Sequence, residues 1–183
     1  MIRTAVAIER SDEFNEARLL LLLNAAAEGQ PRPVEGIMKL AKMDFLLRYP
    51  GVLAKALNAV GGQAAIEAAT SIPASDKDTI EARMIRFRYG PWDWRYRRWL
   101  RILQAKQLAI IYKQGATTNI ELTPKGRAVA QNLAETAAFK TLNDRAKAVH
   151  LAVGQMQATK VAEFIYKIVP EIKGLKWGAP IEI

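Results

Sequence analysis

Nine basic side chains, Arg83, Arg86, Arg88, Arg95, Arg97, Arg98, Arg101, Lys106 and Lys113, fall within a 31-residue stretch whose only acid is Asp93. Phe87, Tyr89, Trp92, Trp94, Tyr96, Trp99 and Tyr112 are interleaved with them. Guanidinium forks match phosphate oxygens, and exposed rings give bases a surface to stack on. The stretch carries +8 of the formal +9 of the whole chain, so the remainder is close to neutral. The chemistry this suits is contact with a polyanion or with an acidic partner. A core of aromatics beneath a solvated arginine face would use the same residues, and most of the rings are assigned to the core here too. The candidate nucleic-acid or partner contacts are Arg86, Arg88, Trp94, Arg95, Arg97, Arg98, Arg101, Lys106, Lys113 and Thr117.

Residues for catalysis are scarce by comparison. Without cysteine there is no disulfide framework, thiolate metal site or cysteine nucleophile, and the single histidine, His150, is read as a packed or surface residue. No Gly-rich loop leads into Lys-Ser/Thr, and there is no Gly-x-Ser-x-Gly elbow. The acids Glu9, Asp12, Glu13 and Glu16 gather at a helix start, where the helix dipole favours them. Asp76 and Asp78 lie in a loop with no third oxygen ligand for Mg²⁺, and Asp93 is taken as a cap or charge partner of the helix after it. A non-enzymatic protein with no metal and no cofactor is expected.

At 183 residues and 20.4 kDa, half hydrophobic and a quarter charged, the chain fits one compact domain or two small lobes. The apolar run Leu19–Leu23 with Ala25–Ala27 follows acids and is broken by Asn24, well short of the ~18 residues of a membrane span. With cysteine absent, a soluble, cytoplasmic protein is expected.

The elements that must position the basic stretch read as follows. A helix over 13–28 is capped by Ser11 or Asp12, is buried on most sides because of its five leucines, and is ended by Gly29, Pro31 and Pro33. Helices follow over 34–48 and 51–60, then a short helix and loop over 63–80. Residues 82–89 suit a strand, a helix or an extended arm. Gly90-Pro91 then opens a helix over 92–107, with Tyr96, Trp99, Leu100 and Leu103 inward and Trp94, Arg98, Arg101 and Ala105 outward. Strands over 108–113 and 118–122 flank a turn at 114–117, and Thr123-Pro124 starts another helix. Residues 139–172 are one long or two medium helices with a possible break at Gly154 and a stop at Pro170. The ending GLKWGAPIEI is expected to dock on the body or on a partner.

The run Arg95–Leu108, the hairpin after it, and Leu122-Thr123-Pro124-Lys125-Gly126-Arg127 resemble the second half of a winged helix-turn-helix domain. Gln107 stands where that pattern usually has glycine, and a long segment separates the second and third helices. The fold class this implies is mainly α with a small β-hairpin wing, a winged helix-turn-helix core with extra helices. The expected domains are a winged-helix region over 1–134, with an insertion at about 49–82, and a helical extension over 135–183.

More widely, KLAKMDFLLRYP, MIRFRYGPWDWRYRRW and FIYKIVPEI resemble the small middle components of bacterial three-component ABC-ATPase systems, including Lamassu-type defence systems. That resemblance covers most of the chain. It implies a non-catalytic winged-helix subunit bridging an SMC-like ABC ATPase and an effector in a DNA-sensing antiphage or anti-plasmid complex, with the helix at about 92–107 meeting double-stranded DNA or an acidic partner. No residue role transfers from that family. The alternative is a free-standing transcriptional regulator, a homodimer reading a pseudo-palindrome.

Overall fold

The computed structural model describes residues 11–28, 32–77 and 83–183. The expectations placed on Glu9, Gly29, Pro31, Asp78 and Ala82 fall outside these residues. In chain order the elements are α1 (Asp12–Ala26), β1 (Val34–Glu35), α2 (Ile37–Arg48), α3 (Pro50–Val60), α4 (Gln63–Ser71), α5 (Ala74–Lys77), β2 (Ile85–Phe87) and β3 (Gly90–Trp92). They continue with α6 (Tyr96–Ala105), β4 (Ala109–Gln114), β5 (Thr117–Leu122), α7 (Pro124–Glu135), α8 (Lys140–Val153), α9 (Ala158–Ile168) and α10 (Glu171–Gly174). The described residues are mainly helical with small antiparallel sheets, and no helix among them is long and apolar enough to cross a membrane. The chain divides into two compact units, each drawn from two stretches. One takes the chain up to Ile37 with Trp94–Asp144, and the other takes Met38–Asp93 with Arg145–Ile183.

In the first unit, Ser11 caps α1 by accepting from the Phe14 N–H at 3.1 Å. Leu19 to Leu23 are all buried, as five apolar residues in succession require of a helix without a polar face. The helix expected from Val34 begins only at Ile37. Gly36, at φ +93°, breaks the chain there, and Val34 instead pairs with Ile120. The sheet order is β1-β5-β4. The β4–β5 hairpin turns through Gly115 and Ala116, with Gly115 at φ +62° supplying the positive φ that a two-residue turn needs. Thr123 caps α7 by accepting from the Gly126 N–H at 2.9 Å. Any Cβ at Gly126 would overlap the Leu108 carbonyl oxygen, so this glycine permits α7 to start against the end of α6's connection.

In the second unit, α2 is buried from Lys39 through Arg48, charged residues included. Burial pulls the Lys42 ammonium down to about 8. Arg48 is fully buried between two acids, with its Nε 2.9 Å from Asp44 Oδ2 and its Nη1 3.0 Å from Asp93 Oδ2. Asp93, expected as a cap or charge partner of the helix after it, is the charge partner of Arg48. The helix start expected at Trp92 is displaced for a related reason. Gly90, at φ +119°, allows a tight reversal, and Gly90–Trp92 pairs with Ile85–Phe87 as β3. Residues 158–174 form α9 and the single turn α10, so Pro170 separates two helices rather than ending the helical region.

The C-terminal segment docks on the body, in this same unit. Arg86 N–H donates to Ala179 O (2.8 Å), Gly178 N–H to Arg86 O (2.7 Å) and Ile181 N–H to Met84 O (2.8 Å). The tail therefore runs antiparallel beside β2, joined to it by an isolated bridge between Ile85 and Pro180. Tyr49 pins this arrangement. Its hydroxyl donates to Ile181 O and accepts from the Met84 N–H, both at 2.9 Å. Burial pushes the phenol up to about 12, partly opposed by the Met84 N–H and by Arg48.

Tyr49→Phe should cost roughly 1–3 kcal/mol, because it strands a buried N–H and a buried C=O. Between pH 10 and 12 the unfolded chain loses the phenolic proton while the fold retains it, so wild-type stability falls across that window, by an amount on the order of 2 kcal/mol. Denaturant unfolding at a series of alkaline pH values should show that fall in the wild type and not in Tyr49→Phe.

Candidate nucleic-acid interface

Helix α6 is strongly two-faced. Tyr96, Trp99, Leu100 and Leu103 are buried, whereas Arg97, Arg98, Arg101 and Gln104 face solvent. This is the division that the helical spacing predicts. Trp94, just ahead of the helix, is 71% exposed, a large apolar side chain set among arginines. Across the hairpin, Lys113 and Thr117 lie exposed near the turn, and Ile110 and Tyr112 are exposed on β4.

Acids of α1 hold this helix in place. The buried indole of Trp99 donates from Nε1 to Asp12 Oδ1 at 3.0 Å, and the other oxygen of the same carboxylate lies 2.5 Å from Arg98. Glu16 takes Lys106 at 2.6 Å. The Trp99 ring is flanked by the guanidinium groups of Arg95 (4.8 Å from the ring centroid) and Arg18 (5.6 Å). Asp12 and Glu16, expected to serve the dipole of their own helix, thus also clamp α6. A buried indole N–H must find an acceptor, and that requirement of Trp99 was the signal available in the sequence. The buried Asp44–Arg48–Asp93 group was signalled only by the i,i+4 spacing of its first two members.

At the far end of α6, Leu108 N–H donates to Leu103 O (2.8 Å), closing a C-terminal cap in which Gln107 adopts φ +60°. Gln107 therefore occupies the left-handed conformation that suits glycine, the residue usual in the pattern it departs from. The Lys125 ammonium donates to Lys106 O at 3.0 Å, fastening α7's first turn to the same corner.

Of the ten predicted contact residues, Trp94, Arg95, Arg97, Arg98, Arg101, Lys106, Lys113 and Thr117 belong to the first unit. Arg86 and Arg88 belong to the second, so the continuous basic stretch of the sequence is divided between the two. Charge follows the same division. The first unit holds 13 basic and 9 acidic residues, and the second holds 14 and 9, for net charges of +4 and +5. On α6, Arg97 and Arg101 have no ion-pair partner among the described residues, while Arg98 is engaged with Asp12 yet remains 64% exposed. A pair so exposed contributes little to stability and yields readily to a competing anion. No protein-family model, curated protein or solved structure matches this chain.

Two substitutions test the local account. Asp12→Ala strands the Trp99 N–H and releases Arg98, and should lower unfolding free energy by about 1–3 kcal/mol. Gln107→Gly removes the left-handed penalty at the cap and should raise it by about 0.5–1 kcal/mol. Both are read as midpoint shifts in chemical denaturation.

Proposed function

We propose that this chain is a non-catalytic winged-helix subunit of a DNA-handling assembly and that α6 is its contact helix. The observation that carries the proposal is the outward face of α6, where Trp94, Arg97 and Arg101 are exposed with no acid among the described residues paired to either arginine. Such a face suits phosphate oxygens and rewards the loss of their counterions. The chain order supports the winged-helix reading. A helix precedes β1, α2 follows it, α6 leads into the β4–β5 hairpin, and the first strand pairs with the third in the order β1-β5-β4. In that reading the connection between α2 and α6, ordinarily a short turn, is expanded to 47 residues, 49–95. Lys113 and Thr117 then lie on the wing.

The resemblance to middle components of three-component ABC-ATPase systems supplies the setting. The subunit bridges an SMC-like ATPase and an effector, and α6 meets DNA held by that complex.

Anisotropy of a labelled generic duplex, titrated with purified protein at two salt concentrations, tests this. Wild type should bind with an affinity that falls steeply with salt. Arg97→Glu/Arg101→Glu should weaken binding at least ten-fold and lower the log–log salt slope by about two, roughly one per lost phosphate contact. Arg98 is left intact because it is tied to Asp12. Wild-type protein that fails to bind at low salt, or a double variant that binds as tightly, rules out DNA contact through α6. The helix then docks on a protein.

A further inference from the structure

The second unit carries a basic and aromatic surface of its own, built by the docking of the C-terminal segment along β2. The Gly178 N–H bond to Arg86 O and the isolated Ile85–Pro180 bridge bring Trp177 to the turn between β2 and β3. Trp177 is 68% exposed there and Tyr89, in that turn, is 53% exposed. Beside them the Tyr166 ring of α9 has the Arg86 guanidinium 5.6 Å and the Lys173 ammonium 5.4 Å from its centroid. Arg88 lies over Tyr89 at 5.3 Å. These cations rest on rings rather than on carboxylates. Within residues 83–92 and 166–183 there are six basic residues against Glu171 and Glu182, and Glu182 is taken by Arg83 at 2.8 Å.

Arg86 is half-buried and held in place, its Nε donating to Ile172 O at 3.0 Å. A guanidinium positioned in this way beside exposed rings is suited to an anionic oxygen. Stacking needs exposed rings, and Trp177 and Tyr89 supply them.

We propose that this surface binds single-stranded nucleic acid, with a backbone phosphate held by Arg86 and Lys173 and bases stacked on Trp177 and Tyr89. Bases in a duplex are already stacked on each other and offer their faces to no side chain, so the exposed rings select the single strand. The site shares no residue with α6 and does not rest on α6 contacting duplex DNA.

The test uses a labelled oligothymidylate of about 20 nucleotides, long enough to cover a patch of this kind. Full-length wild type, Trp177→Ala, Trp177→Phe, Arg88→Glu/Lys173→Glu and the α6 variant Arg97→Glu/Arg101→Glu are compared by anisotropy. Unchanged melting temperatures establish that each variant is folded. Wild type should bind with quenched tryptophan emission. Trp177→Ala should lose five-fold or more, Trp177→Phe should recover most of that loss, and the charge reversal should lose ten-fold or more. The α6 variant should retain oligothymidylate binding even where it loses the duplex. The proposal is overturned if Trp177→Ala and the charge reversal bind like wild type, if Trp177→Phe is as weak as Trp177→Ala, or if only the α6 variant loses the single strand. It is equally overturned if wild type binds no oligothymidylate at low salt. A labelled polyglutamate peptide run alongside would then show whether the patch takes an acidic protein instead.

Discussion

A compact unit assembled from two separated stretches of chain has to be closed by groups that reach between them, and in the second unit that closure converges on the hydroxyl of Tyr49. One oxygen, just past the buried end of α2, satisfies a backbone N–H at Met84 and a backbone C=O at Ile181, 132 positions from the tyrosine itself. Everything on β2 follows from this arrangement. The tail can lie along β2 because its Ile181 carbonyl finds a donor there, and Arg86 can be held rigid because the tail and α10 fix the backbone and side chain on both sides. Arg48, the residue before Tyr49, ties the two ends of the Met38–Asp93 stretch together with charge. A buried guanidinium between two carboxylates is weak as a source of stability, yet removing Arg48 would take the shared cation from two buried carboxylates, so the group fixes which segments must meet.

The first unit solves the same problem with an indole. Asp12 receives Trp99 from one oxygen and Arg98 from the other, so the acid that orients α6 also tempers its charge. The consequence is graded availability along one helix. Arg97 and Arg101 are open to any anion, Arg98 and Lys106 are shared with acids of α1, and Arg95 lies over a ring.

Much of this was legible locally. The cap at Ser11, the burial of five consecutive leucines, the turn at Gly115, the cap at Thr123 and the inward face of α6 all depend on residues within a few positions of each other, and sequence pattern reports on such spacings directly. What escaped was set by partners distant in sequence. Val34 reads as helix until Ile120 claims it as a strand, and Gly90-Pro91-Trp92 reads as a helix start until Ile85–Phe87 pairs with it. That the charge partner of Asp93 is Arg48, 45 positions away, no local pattern reports. In the basic stretch, composition singled out the side chains but could not show that a boundary between Asp93 and Trp94 assigns them to two units.

The discontinuity of both units bears on how the protein can be taken apart. A continuous fragment beginning near Trp94 would contain the basic helix and its hairpin but none of Asp12, Glu16 or β1. Its Trp99 would be left without an acceptor and its sheet without an edge strand. Such a piece would present the arginines of α6 on a helix no longer held in register, and its affinity for any anion would describe a loose basic peptide rather than this surface. Dissection by point substitution keeps the clamp intact, whereas dissection by truncation removes what gives the basic face its shape.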